Sequence, residues 1–184
     1  MKNNGKQFEK DIQESCKKQG ILFERYKDNG KFGYSGDGNT RFSSENPCDG
    51  HLFHKGLLVY LELKSTVNGS ISFNKNPLIQ EKGKPKPSIK TNQIKCLMDR
   101  SKHDGVMAGL MVNYYDRETK TGIVFGGTFF IEINKWLAWA EQSGKKSMNL
   151  SDARSIGIGI ESRTMIKNKR YDMAGMITKI KRED

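Results

Sequence analysis

One stretch of the chain alternates so regularly that it constrains the fold more than any other. In residues 57–65 the odd-numbered positions are all aliphatic until the last: Leu57, Val59, Leu61 and Leu63. The even-numbered positions change from apolar to charged: Leu58, Tyr60, Glu62 and Lys64. Because successive side chains of a strand point to opposite faces, this pattern predicts a half-buried strand with its aliphatic face under a helix. Glu62 and Lys64 then share the other face, about 6–7 Å apart.

A tight turn precedes this strand and fixes the position of a second acid. If Lys55 and Gly56 form a two-residue hairpin loop, counting away from the turn places Asp49 directly opposite Glu62. Directly opposed residues share one face of a sheet, with Cβ atoms about 5 Å apart. Two carboxylates at that distance destabilise the pairing, and we therefore predict a divalent cation between them.

The predicted cluster has the groups that phosphodiester hydrolysis needs. Mg2+ takes oxygen ligands, commonly one or two carboxylates plus water, and Mn2+ is expected to substitute for it. Asp49 and Glu62 are the predicted ligands, and the backbone carbonyl of Leu63, between two site residues, is a further candidate. Lys64 would orient or deprotonate a water molecule, or neutralise charge on the phosphate. The plainer alternative is an exposed edge strand on which Glu62 and Lys64 pair in solvent.

Composition favours a polyanionic partner for this chain. The 184 residues carry 32 Lys and Arg against 21 Asp and Glu, for a net charge of +11. Such an excess favours nucleic acid, although a generic solvated basic surface is the alternative. The length and hydrophobic content predict a single domain over residues 1–184 with a sizeable core.

Membrane association and secretion are not expected. We find no long apolar run, no strongly amphipathic basic helix and no secretory signal at the Lys- and Asn-rich N-terminus. The cysteines are odd in number and widely spaced, which favours reduced thiols in a cytoplasmic protein: Cys16, Cys48 and Cys96.

Two long segments without periodicity are predicted to be loops. Residues 27–47 are glycine-rich and interleave basic with aromatic side chains: Lys27, Lys31, Phe32, Tyr34 and Arg41. We predict that this flexible loop binds DNA, because such residues suit phosphate contact and base stacking. A surface loop with incidental aromatics is the alternative. Residues 74–88 form a second, basic loop with three prolines.

The remaining periodic segments alternate between helices and strands. Phe8, Ile12 and Cys16 recur at helical spacing and predict a helix over residues 5–19 that ends at Gly20. Strands are expected at residues 21–26, 105–115 and 123–133, with a hydrophilic turn at 116–122 and a bulge or second turn at Gly126-Gly127. Three later helices are expected to be capped by Thr91, Asn134 and Ser151. Residues 156–184 alternate apolar with basic residues and permit no assignment.

These motifs, in this order, resemble the PD-(D/E)XK nuclease superfamily. Within it the chain is similar to the RecU-type Holliday junction resolvases of bacteria and their phages. The resemblance spans most of the chain and rests on residues 5–9, Asp49-Gly50, Glu62-Leu63-Lys64-Ser65-Thr66, Ser70-Ile71-Ser72-Phe73, Asn92-Gln93-Ile94, residues 102–105 and residues 169–172. It implies an α/β fold with a restriction-endonuclease-like core, a mixed β-sheet flanked by helices in a single domain.

The resemblance also implies a function. Asp49 and Glu62 correspond to metal ligands and Lys64 to the catalytic lysine. The expected activity is that of a Mg2+-dependent, structure-selective DNA endonuclease that resolves Holliday junctions in recombination. The family acts on branched DNA as a homodimer, whose two-fold axis supplies two sites for symmetric cleavage. The alternatives are a restriction-type or repair-type DNA endonuclease, and a non-catalytic DNA-binding protein of the same fold.

Three further residues gain roles only from the resemblance. Glu9 corresponds to an acid on the first helix that completes the catalytic site, Gln93 to a glutamine near it, and Thr66 to a hydroxyl that supports metal or phosphate. Without the resemblance, Glu9 reads as a first-turn acid favoured by the helix dipole. The chain also departs from the family pattern. Cys48 separates Pro47 from Asp49, and the glycine-rich residues 27–47 occupy the place of a basic stalk that enters the junction.

Overall fold

The computed structural model describes residues 4–26, 46, 48–80, 85–166 and 168–183. The helices are α1 (Asn4–Lys18), α2 (Thr91–Arg100), α3 (Ile133–Ser143), α4 (Leu150–Ile156) and α5 (Met173–Glu183). The strands are β1 (Leu22–Arg25), β2 (Gly50–His54), β3 (Leu57–Thr66), β4 (Ser70–Ser72), β5 (Val106–Tyr114), β6 (Arg117–Thr119), β7 (Gly122–Val124), β8 (Gly127–Glu132), β9 (Ser147–Asn149), β10 (Ile158–Ile160), β11 (Ser162–Thr164) and β12 (Lys169–Tyr171).

A mixed, six-stranded sheet forms the centre of the molecule, with strand order β1-β2-β3-β5-β8-β10. β3 and β5 are parallel, whereas the other neighbouring strands are antiparallel. α2 connects the two parallel strands, as a crossover connection requires. The fold is therefore the predicted α/β class, a mixed sheet flanked by helices in one domain.

Each face of the sheet is covered by its own helices. On one face, α1 and α5 bury Phe8, Ile12 and Ile177 against the aliphatic face of β3. On the other face, α2, α3 and α4 bury a second cluster that includes Ile94 and Trp136. The predicted alternation of β3 is thus confirmed: its odd positions meet α1, and its even positions face α2.

The turn before β3 has the predicted geometry. Lys55 and Gly56 both have positive φ, 49° and 78°, as a two-residue type I′ turn requires. His54 pairs with Leu57, and the register continues to Gly50 opposite Leu61. The predicted register is therefore confirmed as far as Gly50, the residue next to Asp49.

Residues 116–133 match the prediction in part. The predicted turn at 116–122 instead forms β6 and, with β7, a small hairpin of its own. The break before β8 confirms the bulge or second turn predicted at Gly126-Gly127. A Cβ atom at Gly126 would lie 1.9 Å from the carbonyl oxygen of Tyr114, so only glycine fits where the chain passes the end of β5.

The three predicted caps each lie one or two residues too far along the chain. The helices begin after Lys90, Glu132 and Asn149 instead of after Thr91, Asn134 and Ser151. Glu132 caps α3 because its carboxylate accepts hydrogen bonds from the backbone N–H groups of Asn134 and Lys135. A glutamate at the end of a strand is not among the residue types preferred for caps, which explains the shifted prediction.

The C-terminal residues form β10, the β11–β12 hairpin and α5. Polar side chains spaced four residues apart, on α1 and just after its end, fix β12 beside the helix. A carboxylate oxygen of Asp11 accepts from Lys169 N at 3.2 Å, Ser15 Oγ accepts from Tyr171 N at 3.1 Å, and Gln19 Nε2 donates to Tyr171 O at 2.7 Å. These side chains bond to backbone groups of β12 that a second neighbouring strand would otherwise have to satisfy.

Candidate active site

Asp49 lies just before β2 and bonds through its backbone to both neighbouring strands. Asp49 N donates to Leu61 O at 3.1 Å, and Tyr26 N donates to Asp49 O at 2.9 Å. Asp49 therefore lies between β1 and β3, where its carboxylate is close enough to Glu62 to act on the pKa of that group. Its side-chain Oδ2 accepts a hydrogen bond from Leu63 N at 2.7 Å, which fixes the carboxylate against the exposed edge of β3.

The same hydrogen bond indicates where the carbonyl of Leu63 lies. The N–H and C=O groups of one strand residue are directed to the same side, as the paired bonds of an antiparallel ladder require. Since Leu63 N–H meets Asp49 and β2 has already ended, Leu63 C=O opens beside the same carboxylate. This position suits the predicted role of Leu63 as a backbone metal ligand.

Glu62 is completely buried, at 0 % exposure, and its two oxygens differ. Oε1 accepts hydrogen bonds from Lys64 Nζ and from Gln93 Nε2, both at 2.5 Å. Oε2 is buried and has no hydrogen-bond partner among the described residues. A buried carboxylate oxygen without a partner is uncommon and calls for an explanation, such as an ion. The donor set fits a hard divalent cation, because Glu62 Oε2, Asp49 and the Leu63 carbonyl all offer oxygen.

Burial changes the acidity of Glu62. It raises the pKa of the carboxyl to about 7; the nearby Lys64 opposes this shift, and Asp49 adds to it. The influence of Asp49 agrees with the like-charge pair that the hairpin register predicts. A divalent cation would relieve both the burial penalty and the repulsion.

Gln93 connects this carboxylate to the start of α2. Its Nε2 donates to Glu62, while its Oε1 accepts from Lys90 N at 3.0 Å, in the manner of a capping box. Gln93 thus holds the first turn of α2 and orients Glu62 with the two ends of one side chain. The predicted place of Gln93 near the site agrees with this geometry.

No family model matches this chain. It is 32 % identical over 180 residues to the SPbeta prophage-derived uncharacterized protein YotM of Bacillus subtilis, a match that covers 92 % of this chain and 81 % of that protein. The chain belongs to the YotM family. The name of YotM states no activity, so membership of this family does not assign an activity to the chain.

The fold of this YotM relative is similar to that of a known resolvase. A 1.6 Å structure of Hjc from Archaeoglobus fulgidus, a Holliday junction resolvase from an archaeal hyperthermophile, matches with a TM-score of 0.50. The match covers 84 % of this chain and 95 % of that one at 13 % identity. At this identity the likeness shows the fold, which is the restriction-endonuclease-type α/β fold predicted above.

The predicted roles of Glu9 and Thr66 stay predictions. Glu9 Oε2 is 2.6 Å from Arg25, which pairs with Gly50 next to Asp49 in the sheet. α1 packs on the face opposite Glu62, so Glu9 approaches from the far side of the sheet. Thr66 continues the face of Lys64, and its Oγ1 accepts from Asn68 N at 3.0 Å.

The predicted DNA-binding residues of the first loop lie outside the described residues: Lys27, Lys31, Phe32, Tyr34 and Arg41. In the second loop, the side chain of Asn74 donates to Ile79 O at 3.0 Å and to Thr91 Oγ1 at 3.2 Å, which holds the described part of residues 74–88 against α2.

Within the described ranges, no group of three or more His, Cys, Asp or Glu side chains converges on one point. A cation at Asp49 and Glu62 would therefore need water or phosphate oxygens as well, as Mg2+ commonly does. All three cysteines are free thiols. None of the described helices combines the length and apolar character needed to cross a bilayer.

No role was predicted for Arg100, which lies on the same face of the sheet as the site. Arg100 of α2 lies over the ring of Tyr60, 5.1 Å from its centroid, and Tyr60 is 5.5 Å from the His51 ring. His51 Nδ1 lies 3.1 Å from the hydroxyl of Tyr26. Arg100 is seven residues after Gln93, a spacing that places both on one face of α2, and this spacing was the available signal.

Proposed function

We propose that this protein is a Mg2+-dependent DNA endonuclease that cleaves branched DNA, a Holliday junction resolvase of the RecU type. The observation that carries the proposal is the buried Glu62. Its Oε2 has no hydrogen-bond partner among the described residues, while Asp49 lies opposite and Lys64 beside it. Burial of such a group without a chemical task is expensive.

The residues of this cluster have separate tasks in hydrolysis. A bound Mg2+ would supply Lewis acidity and a water molecule of lowered pKa. Asp49 and Glu62 would hold the ion, with the carbonyl of Leu63 as a third protein oxygen. The Lys64 side chain is 19 % exposed, and from the boundary of the cluster it can orient the water or neutralise charge on the phosphate. Gln93 keeps the Glu62 carboxylate in one orientation.

Three observations support DNA as the substrate. The net charge is +11, which suits a polyanion. The motif series resembles the RecU-type resolvases, and the fold is similar to that of Hjc from Archaeoglobus fulgidus, itself described as a Holliday junction resolvase. Paired cuts in opposed strands need two sites, so we propose a homodimer in which each protomer supplies one cluster.

A cleavage assay separates this proposal from its alternatives. Purified protein is incubated with Mg2+ and a labelled four-way junction, beside a linear duplex and a splayed-arm duplex of the same sequences. Cutting of the junction alone supports a resolvase, whereas cutting of the linear duplex supports a restriction-type or repair-type enzyme. Tight binding without metal-dependent cutting supports a non-catalytic DNA-binding protein.

A paired variant tests the assigned cluster. Asp49→Ala is expected to abolish cutting and leave salt-sensitive DNA binding in place, because Asp49 holds the ion and not the DNA. Asp99→Ala is the matched control, since Asp99 is an exposed acid on α2 whose ion pair with Lys102 spans 3.2 Å at the surface. Unchanged cutting by Asp49→Ala would contradict the assignment of this residue.

A further inference from the structure

The β11–β12 hairpin has a charge distribution that suits a polyanion. Residues 162–171 contain four basic residues and no acidic one. Arg163 lies directly opposite Arg170 across the two strands. Like charges in this position destabilise a strand pair. Arg170 is neutralised by Glu14 at 2.8 Å, whereas no carboxylate among the described residues pairs with Arg163, which is exposed.

The end of the same hairpin exposes two apolar side chains. Ile166 is 101 % exposed and Met165 is 52 % exposed. A backbone hydrogen bond from Met165 N to Asn168 O, 2.8 Å long, closes the turn that presents them. A fully exposed isoleucine between basic strands resembles the apolar wedges that DNA-bending proteins place between base steps.

The hairpin is held firmly in spite of its exposure. Its second strand is bonded to the buried Asp11 and Ser15 of α1 and to the half-buried Gln19 just after that helix. Its base is closed by a 2.8 Å bond from Asp172 N to Glu161 O. An element fixed by buried polar groups keeps its direction, which is what a contact surface needs.

The hairpin lies close to the end of β3 that follows the candidate active site. Lys169 Nζ is 5.8 Å from the centroid of the Tyr115 ring. Tyr115 N donates to Thr66 O at 3.0 Å, two residues after Lys64 on β3. The hairpin is bonded to α1, on the face of the sheet opposite Glu62, so DNA at the catalytic cluster would meet it around this end of the sheet.

We propose that the β11–β12 hairpin contacts the branched DNA next to the cleavage site. Arg163 and Lys169 bind backbone phosphates, and Ile166 packs against a base that is exposed at the branch point. This inference rests on the proposed function. The occupant is DNA and not a second protein chain, because the basic strands around the apolar tip complement phosphate charge.

The first test measures the salt dependence of junction binding. The full-length protein is titrated with a fluorescent four-way junction in EDTA, so that no cutting occurs, at several salt concentrations. Loss of one phosphate contact in Arg163→Gln is expected to lower the slope of log affinity against log salt by about 1. Arg182→Gln is the matched control: Arg182 is exposed on α5, whose next-door Lys181 contacts Lys55 at the opposite end of β3.

The second test examines the apolar tip. Ile166→Ser is expected to weaken junction binding about fivefold or more, with no change of salt slope and a smaller effect on linear duplex. A fluorescent adenine analogue at the branch point, which brightens when it is unstacked, should brighten less with this variant than with the wild type. Ile166→Leu should restore both signals, because it restores the apolar tip. Circular dichroism confirms that each variant is folded.

The outcomes separate the hairpin from the proposed function. If the wild type binds and cuts junctions while Arg163→Gln and Ile166→Ser behave like it, the hairpin proposal is wrong and the nuclease stands. If the wild type binds no DNA, both proposals fail. If junctions are bound through the hairpin but never cut in Mg2+, only the nuclease fails. If Ile166→Ser changes the sedimentation of the free protein and not DNA binding, the tip contacts a second chain and the hairpin proposal is wrong.

Discussion

Two hairpins of this protein each bring like charges together, and they do so in contrasting surroundings. At the β2–β3 hairpin the pair is acidic: Asp49, just before β2, lies close to Glu62 of β3, and Glu62 is completely buried. In β11–β12 the pair is basic, Arg163 with Arg170, and Arg163 is exposed. A buried acidic pair suits a small cation that must be held in fixed geometry. An exposed basic pair suits a large polyanion that arrives from solvent. The difference indicates how one small domain separates catalysis from substrate capture.

The largest expected effect comes from breaking the acidic pair. Glu62→Gln keeps the shape of the side chain and removes its charge, so the site loses a metal ligand. Cutting of junctions in Mg2+ should fall at least about 1000-fold, since Lewis-acid stabilisation contributes several kcal/mol. Junction binding in EDTA should be unchanged, because the basic hairpin is intact. Gel assays of cutting, with anisotropy for binding, measure the two effects separately.

The control for this variant is Glu141→Gln, which makes the same change at an exposed position of α3. It should cut like the wild type. Joint loss of binding and cutting in folded Glu62→Gln would mean that the acidic pair does not act through a metal, and the contrast between the hairpins would fail.

A second prediction concerns pH and stability without metal. Burial raises the pKa of Glu62 from its ordinary 4.5 to about 7. The unfolded chain therefore loses this proton first, and ionisation favours unfolding as pH rises from about 4.5 through 7. The free energy of unfolding should fall across this window by about 3 kcal/mol owing to Glu62. Urea denaturation in EDTA at pH 5 and pH 8 measures the effect.

Two comparisons isolate the contribution of Glu62 from those of other groups. Between pH 5 and pH 8, the fall in the free energy of unfolding should be smaller in Glu62→Gln than in the wild type by the contribution of Glu62. At pH 8, added Mg2+ should raise the free energy of unfolding of the wild type but not that of the variant. An identical pH dependence in wild type and variant would show that ionisation of the Glu62 carboxyl does not cause the loss of stability.

A third prediction concerns the orientation of Glu62. Gln93→Ala removes the donor to Glu62 Oε1 and the acceptor for Lys90 N. Loss of such a supporting contact typically lowers metal affinity or activity about 10–100-fold, and we expect that loss here. Mn2+ titration of the protein, followed by paramagnetic resonance, measures the affinity directly. Lys95→Ala, an exposed position on the same helix, should leave it unchanged. If Gln93→Ala loses stability but keeps its Mn2+ affinity, Gln93 acts only as a cap of α2 and does not support the metal site.

The acidic hairpin could be predicted from sequence because its constraints are local. The Lys55-Gly56 turn fixes the register, and strand alternation then assigns every side chain from Asp49 to Lys64 to a face. Packing under α1 followed from the same alternation. The bonding of Glu62 to Gln93 needed more, because α2 arrives from a distant part of the chain; only the resemblance pointed to it.

The basic hairpin could not be predicted, since β11 and β12 have three residues each and are too short for the apolar and basic alternation of residues 156–184 to define a buried face. β12 is held by Asp11, Ser15 and Gln19, more than 150 residues earlier in the chain. Their spacing of four is visible in the sequence, but it reads as a polar helix face until a strand is known to lie beside it. The caps at Lys90 and Glu132 were missed for a different reason, because neither lysine nor glutamate is among the residue types preferred at the start of a helix.

The smallest expected effect tests whether the attachment of the β11–β12 hairpin to α1 affects DNA binding without affecting catalysis. Ser15 is completely buried; its Oγ donates to Asp11 O at 2.6 Å and accepts from Tyr171 N at 3.1 Å. In Ser15→Ala the Tyr171 N–H loses its acceptor, and the free energy of unfolding should fall by about 1–2 kcal/mol. Junction affinity should weaken, because the hairpin is held less firmly, while the rate of cutting at saturating protein should not change. Ser155→Ala removes a comparable bond within exposed helix α4, from Ser155 Oγ to Asp152 O at 2.7 Å, and should alter neither quantity. A fall in the rate of cutting at saturating protein for Ser15→Ala, without a change in affinity, would show that the β11–β12 hairpin contributes to the cleavage step. The proposed separation of DNA binding and catalysis between the two hairpins would then be wrong.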